Sequence, residues 1–191
     1  MLDGNYGNDS ILGADGNDTI YGNYGADNIA GGTGDDSIFG NAGNDTILGG
    51  AGNDTIFAYG DHDNVAGGAG FDVILGGAGN DTLAGGAGDD VVRGMVGDDY
   101  VTGGADQDSL FGGVGNDTLV AGTGVDSLYG GAGTDLYMIA ALPTGTQNFG
   151  NAFIFGFEAG EHIDLTTRSN RRKSRLKCWN RHHCTFVRRH V

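Results

Sequence analysis

A nine-residue unit repeats without a gap from Gly4 to Met138, fifteen times, and every copy has aspartate at its sixth position. These are Asp9, Asp18, Asp27, Asp36, Asp45, Asp54, Asp63, Asp72, Asp81, Asp90, Asp99, Asp108, Asp117, Asp126 and Asp135. Two places further on stands a bulky apolar residue: Ile11, Ile20, Ile29, Ile38, Ile47, Ile56, Val65, Ile74, Leu83, Val92, Val101, Leu110, Leu119, Leu128 and Tyr137. Such a chain cannot build an ordinary globular core, because only one residue in nine is committed to the interior. Each apolar residue must be buried against its counterparts in neighbouring copies, stacked in one direction. A carboxylate locked in phase with that position is not a solvated surface charge, which has no reason to keep the phase. It points to a hard cation held between stacked loops.

The chain contains 40 glycines and one proline, Pro143. The nine-residue period excludes collagen, which repeats every three residues, and the periodic apolar position argues against low-complexity disorder. Glycine fills thirteen of the fifteen first positions and thirteen of the fourth, the fourth-position exceptions being Asp61 and Asp106. Those places are expected to need backbone angles that side chains disfavour, or a close backbone approach. Asn5, Asn23 and Asn41 at the second position fit the same demand.

All 25 acidic residues lie at or before Asp164, and Arg93 alone of the Lys and Arg residues precedes Arg168. Turns of a solenoid lie about 4.8 Å apart, so same-row aspartates become close neighbours of like charge. With so thin a core, folding is expected to require cations. Calcium suits loops that offer many carbonyls and one fixed carboxylate, whereas magnesium demands tighter geometry and zinc prefers His or Cys. The repeats contain only His62, read as a tolerated loop residue. The first six positions are expected to form a turn and the last three a short strand with the eighth residue inward. Two units then make one turn, odd copies building one sheet and even copies the other, in a rod about 36 Å long.

The unit G-[GN]-x-G-x-D-x-U-x resembles the hemolysin-type calcium-binding nonapeptide of the repeat-in-toxin (RTX) family. The resemblance implies an all-β fold, a right-handed parallel β-roll (a β-helix or solenoid) with two short-stranded parallel sheets and Ca2+ in the turns. It also implies a ligand pattern in which an ion sits between copy n and copy n+2. Copy n gives the carbonyls of positions 2 and 4 and its Asp; copy n+2 gives the carbonyls of positions 1 and 3 and its Asp. One such site would be Gly50, Gly52, Asp54, Gly67, Ala69 and Asp72; another Gly68, Gly70, Asp72, Gly85, Ala87 and Asp90. Beside the fifteen aspartates, the same pattern names Gly32, Gly34, Gly49, Ala51, Gly76, Gly77, Ala78, Gly79, Gly86, Gly88, Gly113 and Gly115. Fifteen copies paired in this way allow at most about 13 ions, fewer if degenerate copies fail. Ala58-Tyr59-Gly60-Asp61-His62-Asp63 lacks glycine at positions 1, 2 and 4, and Met95 and Asp106 mark two more weak copies.

The repeats span residues 1–138 with their short lead-in, and residues 139–167 read as a closing segment. Within it, NAFIFGFEAGEHIDLT (151–166) resembles the strand pair that ends RTX blocks, with Glu161-His162 in place of the usual acid and Lys. Residues 168–191 hold nine Lys and Arg and no acid. Three readings stay open for them: a non-native or frame-shifted extension, a disordered tail folding back on the acidic rod, or a basic motif for membrane or nucleic acid. Cys178, His182, His183 and Cys184 are a weak zinc cluster at most. Ninth positions of the even copies, Tyr21, Phe39, Phe57, Leu75, Arg93, Phe111 and Tyr129, form a stripe that either stacks on itself or docks a neighbouring domain or chain.

No HExxH, GxSxG or nucleophile–base pair appears, so the chain itself is not expected to be an enzyme. There is no apolar span of membrane length and no visible signal peptide. The resemblance implies a module of a secreted, extracellular protein exported by type I secretion machinery, folding on Ca2+ outside the cell, with no nucleic-acid partner. The alternatives are the C-terminal module of an RTX protease, lipase or alginate epimerase, or a Ca2+-dependent adhesin or ice-binding solenoid.

Overall fold

The computed structural model describes residues 1–140, 151–157, 161–166, 175–180 and 183–187. Its strands follow the repeat: β1 (Leu2–Asp3), β2 (Ser10–Asp15), β3 (Thr19–Tyr24), β4 (Asn28–Thr33), β5 (Ser37–Ala42), β6 (Thr46–Ala51), β7 (Thr55–Gly60), β8 (Asn64–Ala69), β9 (Val73–Ala78), β10 (Thr82–Ala87), β11 (Val91–Val96), β12 (Tyr100–Ala105), β13 (Ser109–Val114), β14 (Thr118–Thr123), β15 (Val125–Ala132) and β16 (Leu136–Ala140). Beyond the repeats come β17 (Asn151–Phe155), β18 (His162–Thr166), β19 (Arg175–Asn180) and β20 (His183–Val187). Every strand from β1 to β18 pairs in parallel with the strand two places away, so alternate strands build two separate sheets. The register is fixed: Leu83 lies beside Val65 on one side and Val101 on the other, 18 residues away in each direction. The protein is a parallel β-roll of two nonapeptides per turn.

The eighth-position side chains fill the space between the sheets. From Ile20 to Tyr137 all are at most 1% exposed, and only Ile11, in the first copy, is partly open. Each contributes roughly 1.5–3 kcal/mol of burial, and none is useful without the turn above and below it.

The strands are twice the expected length. They run from position 7 through position 3 of the next copy, so the segment read as a turn is half strand. The ladder passes Ala84↔Ala66 to Gly86↔Gly68 and steps over Gly85, a first position, where the chain turns its corner. Position 1 has no left-handed backbone; positions 2 and 4 do, in all fifteen copies. The expected demand on backbone angles therefore falls on positions 2 and 4, while position 1 is glycine for want of space. Asn5, Asn23 and Asn41 take the left-handed region, as do Tyr59, Asp61, Met95 and Asp106, so the degenerate copies keep the path of the others at the cost of strain.

On the outer face of the sheet that starts with β1, the ninth-position rings stack on one another. Tyr21–Phe39 and Phe39–Phe57 centroids are 4.9 and 5.3 Å apart, and Phe111–Tyr129 and Tyr129–Phe155 are 4.7 and 4.5 Å apart, all nearly parallel. Leu75 and Arg93 interrupt the column, and the Arg93 guanidinium lies 4.5 Å over the Phe111 ring. Phe39 has a ring on each side, so Phe39→Ala should lower the stability of the calcium-loaded protein by about 1–2 kcal/mol, measured by denaturant unfolding.

Past the repeats, β17 extends one sheet against β15 and β18 extends the other against β16, both in parallel. Within the basic segment, β19 and β20 form an antiparallel pair, and β20 joins the edge of β17 in the opposite direction. Cys178 and Cys184 are in register there. The weak zinc cluster that includes them falls on side chains outside the described ones, and His182 is itself outside the described residues.

Candidate metal centre

The repeat places its aspartates in two rows, one above the start of each sheet. From Asp27 to Asp135 they are at most 3% exposed, although they are carboxylates; Asp9 and Asp18, at the open first turn, are half-buried. Each carboxylate divides its oxygens between two tasks. Oδ1 accepts the backbone N–H of the aspartate 18 residues earlier, as Asp72 Oδ1 does from Asp54 at 2.8 Å and Asp90 Oδ1 from Asp72 at 2.8 Å. The bond recurs in every turn from Asp9–Asp27 to Asp117–Asp135. Oδ2 is shut from solvent and has no hydrogen-bond partner at Asp9, Asp27, Asp36, Asp45, Asp54, Asp63, Asp72, Asp81, Asp90, Asp99, Asp108, Asp117, Asp126 and Asp135. One buried polar atom without a partner costs about 1–3 kcal/mol, more if charged. Fourteen at the same place of the repeat mark a place for something else.

The first-position glycines show where. A Cβ on Gly76 would lie 2.5 Å from Asp81 Oδ2 and 2.9 Å from the carbonyl oxygen of Gly94, one turn on. The same pair, Oδ2 of the copy's own Asp and the first-position carbonyl of copy n+2, closes on Gly4, Gly13, Gly22, Gly31, Gly40, Gly49, Gly67, Gly85, Gly94 and Gly112. Glycine there lets the two oxygens converge beside its α-carbon in a cradle whose inner wall is the eighth-position Cδ1. Copies 7 and 14 carry alanine at this place, Ala58 and Ala121, both buried.

Among the carried-over ligands, Asp72 Oδ2 and the Gly85 carbonyl meet at the cradle beside Gly67. The third-position carbonyl of Ala87 accepts the Gly70 N–H at 2.8 Å, and that of Ala69 the Gly52 N–H at 2.8 Å. The carbonyls of Gly50 and Gly52 press on the α-carbons of Gly68 and Gly70, where a Cβ would collide with them. Among the described residues no three His, Cys, Asp or Glu side chains gather into a metal cluster. The donors are thus one orphan carboxylate oxygen with backbone carbonyls, an oxygen set that suits a hard cation accepting irregular geometry.

Electrostatics agree. Burial pushes Asp54, Asp72 and Asp117 up to about 6 and Asp63, Asp99 and Asp108 up to about 7. The backbone N–H on Oδ1 opposes the shift, and the charges of stacked neighbours, such as Asp81 and Asp117 on either side of Asp99, add to it. A cation in the cradles would reverse this penalty. Tyr137, at the last core position, is pushed above its ordinary range by burial and then by the charges of Glu161 and Asp135.

The pattern of the RTX calcium-binding nonapeptide repeat matches residues 3–38, 21–56, 39–74, 57–92, 75–110, 85–119 and 111–138. The chain belongs to this family of calcium-binding repeats. A search of curated proteins returned no match. As an RTX repeat protein the chain is a calcium-binding repeat module.

A second ladder escaped the reading of the sequence. Fifth-position side chains accept the backbone N–H of the fifth position one turn on: Asn53 Oδ1 from Phe71 at 2.8 Å, Asn80 Oδ1 from Asp98 at 3.0 Å, Asp98 Oδ1 from Asn116 at 2.7 Å. His62 joins it, its Nδ1 accepting from Asn80 at 2.7 Å, and so is a rung of the loop. The excess of Asn and Asp at that position was the available signal.

Proposed function

We propose that this RTX module is a folding device of a secreted protein: unfolded and export-competent at low cytoplasmic calcium, folded by calcium outside the cell, and exported through type I machinery. The observation that carries the reading is the row of buried Oδ2 atoms without partners, most of them beside a first-position carbonyl. A cation bound there favours the folded chain by mass action, because the unfolded chain has no cradle. The first-position glycines keep the cradle open, Asp Oδ1 locks each turn to the one before, and Oδ2 and the carbonyls face the ion. Ala58 stands where glycine forms the cradle in other copies, so copy 7 is expected to hold no ion and the repeats fewer than the limit of about 13 set by pairing copies.

The module itself has no catalytic role in this reading; its buried carboxylates serve the metal. Any enzyme, adhesin or ice-binding activity would belong to other parts of a parent protein or to its outer faces. Far-UV circular dichroism during a calcium titration, with magnesium as control, tests the reading. A cooperative gain of strand signal with calcium alone is expected. A spectrum already rich in strand in chelator would overturn calcium-gated folding. Asp72→Ala with Asp90→Ala should raise the calcium midpoint, and an unmoved midpoint would remove those residues from the ligand set.

A further inference from the structure

The two rows of aspartates end differently. In the row above the sheet containing β15 and β17, Asp126 is in register with Ala152, so no carboxylate follows it. In the other row the chain leaves the nonapeptide pattern after Met138, yet the next place is again acidic. β18 is in register with β16 from Leu136↔His162 onward, which sets Glu161 one turn beyond Asp135. The backbone repeats the bond found in every turn: the His162 N–H donates to the Asp135 carbonyl at 3.0 Å, as the Leu136 N–H does to that of Asp117 at 2.8 Å. Glu161 is 7% exposed, and its Oε1 is shut from solvent.

The last cradle of that row gains an oxygen by an unusual route. Beside Gly130 lie the buried, partnerless Oδ2 of Asp135 and, where other cradles have the Cδ1 of an aliphatic eighth residue, the hydroxyl of Tyr137. In the earlier copies the eighth residue is aliphatic and stops short; the Cδ1 of Leu83 comes to 3.1 Å from the same point beside Gly76. The longer tyrosine brings an oxygen instead. That oxygen accepts the Gly130 N–H at 3.0 Å, which leaves it a second lone pair. Asp135 and Glu161 are both close enough for their charges to act on the phenol.

We propose that Asp135, Tyr137 and Glu161 form a terminal divalent-cation site, built partly from residues outside the nonapeptide motif, which ties the closing segment to the last turn of the roll. It rests on the calcium reading above and extends it. Tyr137 supplies a neutral oxygen that the aliphatic eighth residues of other copies lack, and Glu161 the carboxylate at the place where a copy 17 would have had aspartate. The ion therefore couples closure of the end to metal binding, while the other row ends on Ala152 without one.

The test is the number of calcium ions per full-length chain, counted by native mass spectrometry at saturating calcium, for the parent and for Glu161→Gln, Tyr137→Phe and Glu161→Asp. The site predicts one ion fewer in Glu161→Gln and in Tyr137→Phe, with the strand spectrum retained, and an unchanged count in Glu161→Asp. Terbium in place of calcium gives a second readout, since Tyr137→Phe should lose sensitised emission that Tyr129→Phe keeps. An unchanged ion count in both Glu161→Gln and Tyr137→Phe overturns the site, as does a lower folded fraction with the same count per folded chain. A parent chain that binds no calcium defeats the underlying reading instead, and this site with it.

Discussion

In chelator, acidification from about pH 8 to about pH 5 should increase the strand signal of this chain, the reverse of ordinary acid denaturation. The buried aspartates have folded-state values raised from 3.8 to about 6 at Asp45, Asp54, Asp72, Asp90, Asp117 and Asp126 and to about 7 at Asp63, Asp99 and Asp108. Asp81 shifts in the same direction. Between 3.8 and those values the folded chain binds more protons than the unfolded chain. Stability therefore falls as pH rises through that window, and the penalty is complete above about 7. Below the window both states are protonated and the penalty is gone. A proton on each Oδ2 partly stands in for the cation, since it removes the buried charge but supplies no bond to the carbonyls. Two measurements follow: circular dichroism against pH in chelator at micromolar protein, and the calcium midpoint against pH. The first should rise on acidification, and the midpoint should also rise, because protons compete with the ion. A strand signal that falls as pH is lowered in chelator would show that the carboxylates are not buried in the metal-free fold.

The period of nine, with its in-phase apolar residue, was sufficient to read two sheets, two copies per turn and the inward row from Ile20 to Tyr137. Each of these depends on spacing alone. Strand length was not legible, because glycine-rich positions 1 to 3 look like a turn until the backbone shows that position 1 is extended and only positions 2 and 4 are left-handed. The identity of the orphan oxygen was not legible either. A sequence names an aspartate, but which of its two oxygens binds the N–H of a residue 18 earlier is decided by the stacked turn. Ala58 could be marked as degenerate from the pattern. That an Asp Oδ2 and a carbonyl converge at this place in other copies required the stacked turns. Tyr137 misleads most: by position it is core, as the structure agrees, yet its hydroxyl reaches the end of the carboxylate row.

Gly76→Ala should remove one calcium ion while changing neither a carboxylate nor a backbone angle. The backbone of Gly76 is not left-handed, so alanine is allowed there conformationally. Its methyl group would lie 2.5 Å from Asp81 Oδ2 and 2.9 Å from the Gly94 carbonyl, in the space the ion needs. Copies 7 and 14 already carry alanine at this place within the same fold, so the roll accommodates the methyl group once the Asp81 carboxylate and the Gly94 carbonyl shift to make room. Gly79→Ala, three residues on, is the contrasting case. Gly79 has φ +142, and a Cβ there would collide with the backbone carbonyl of Asp61. That change should destabilise the roll by about 1–3 kcal/mol from the dihedral alone, with more from the collision, whatever the calcium concentration. The two variants separate loss of an ion from loss of a turn. Gly76→Ala should show a count lower by one, a calcium midpoint raised severalfold and a normal spectrum at saturation, whereas Gly79→Ala should show a weakened fold that excess calcium restores only in part. An unchanged ion count in Gly76→Ala would mean that the ion does not use the space between Oδ2 and the first-position carbonyl, and the cradle would lose its meaning as a calcium site.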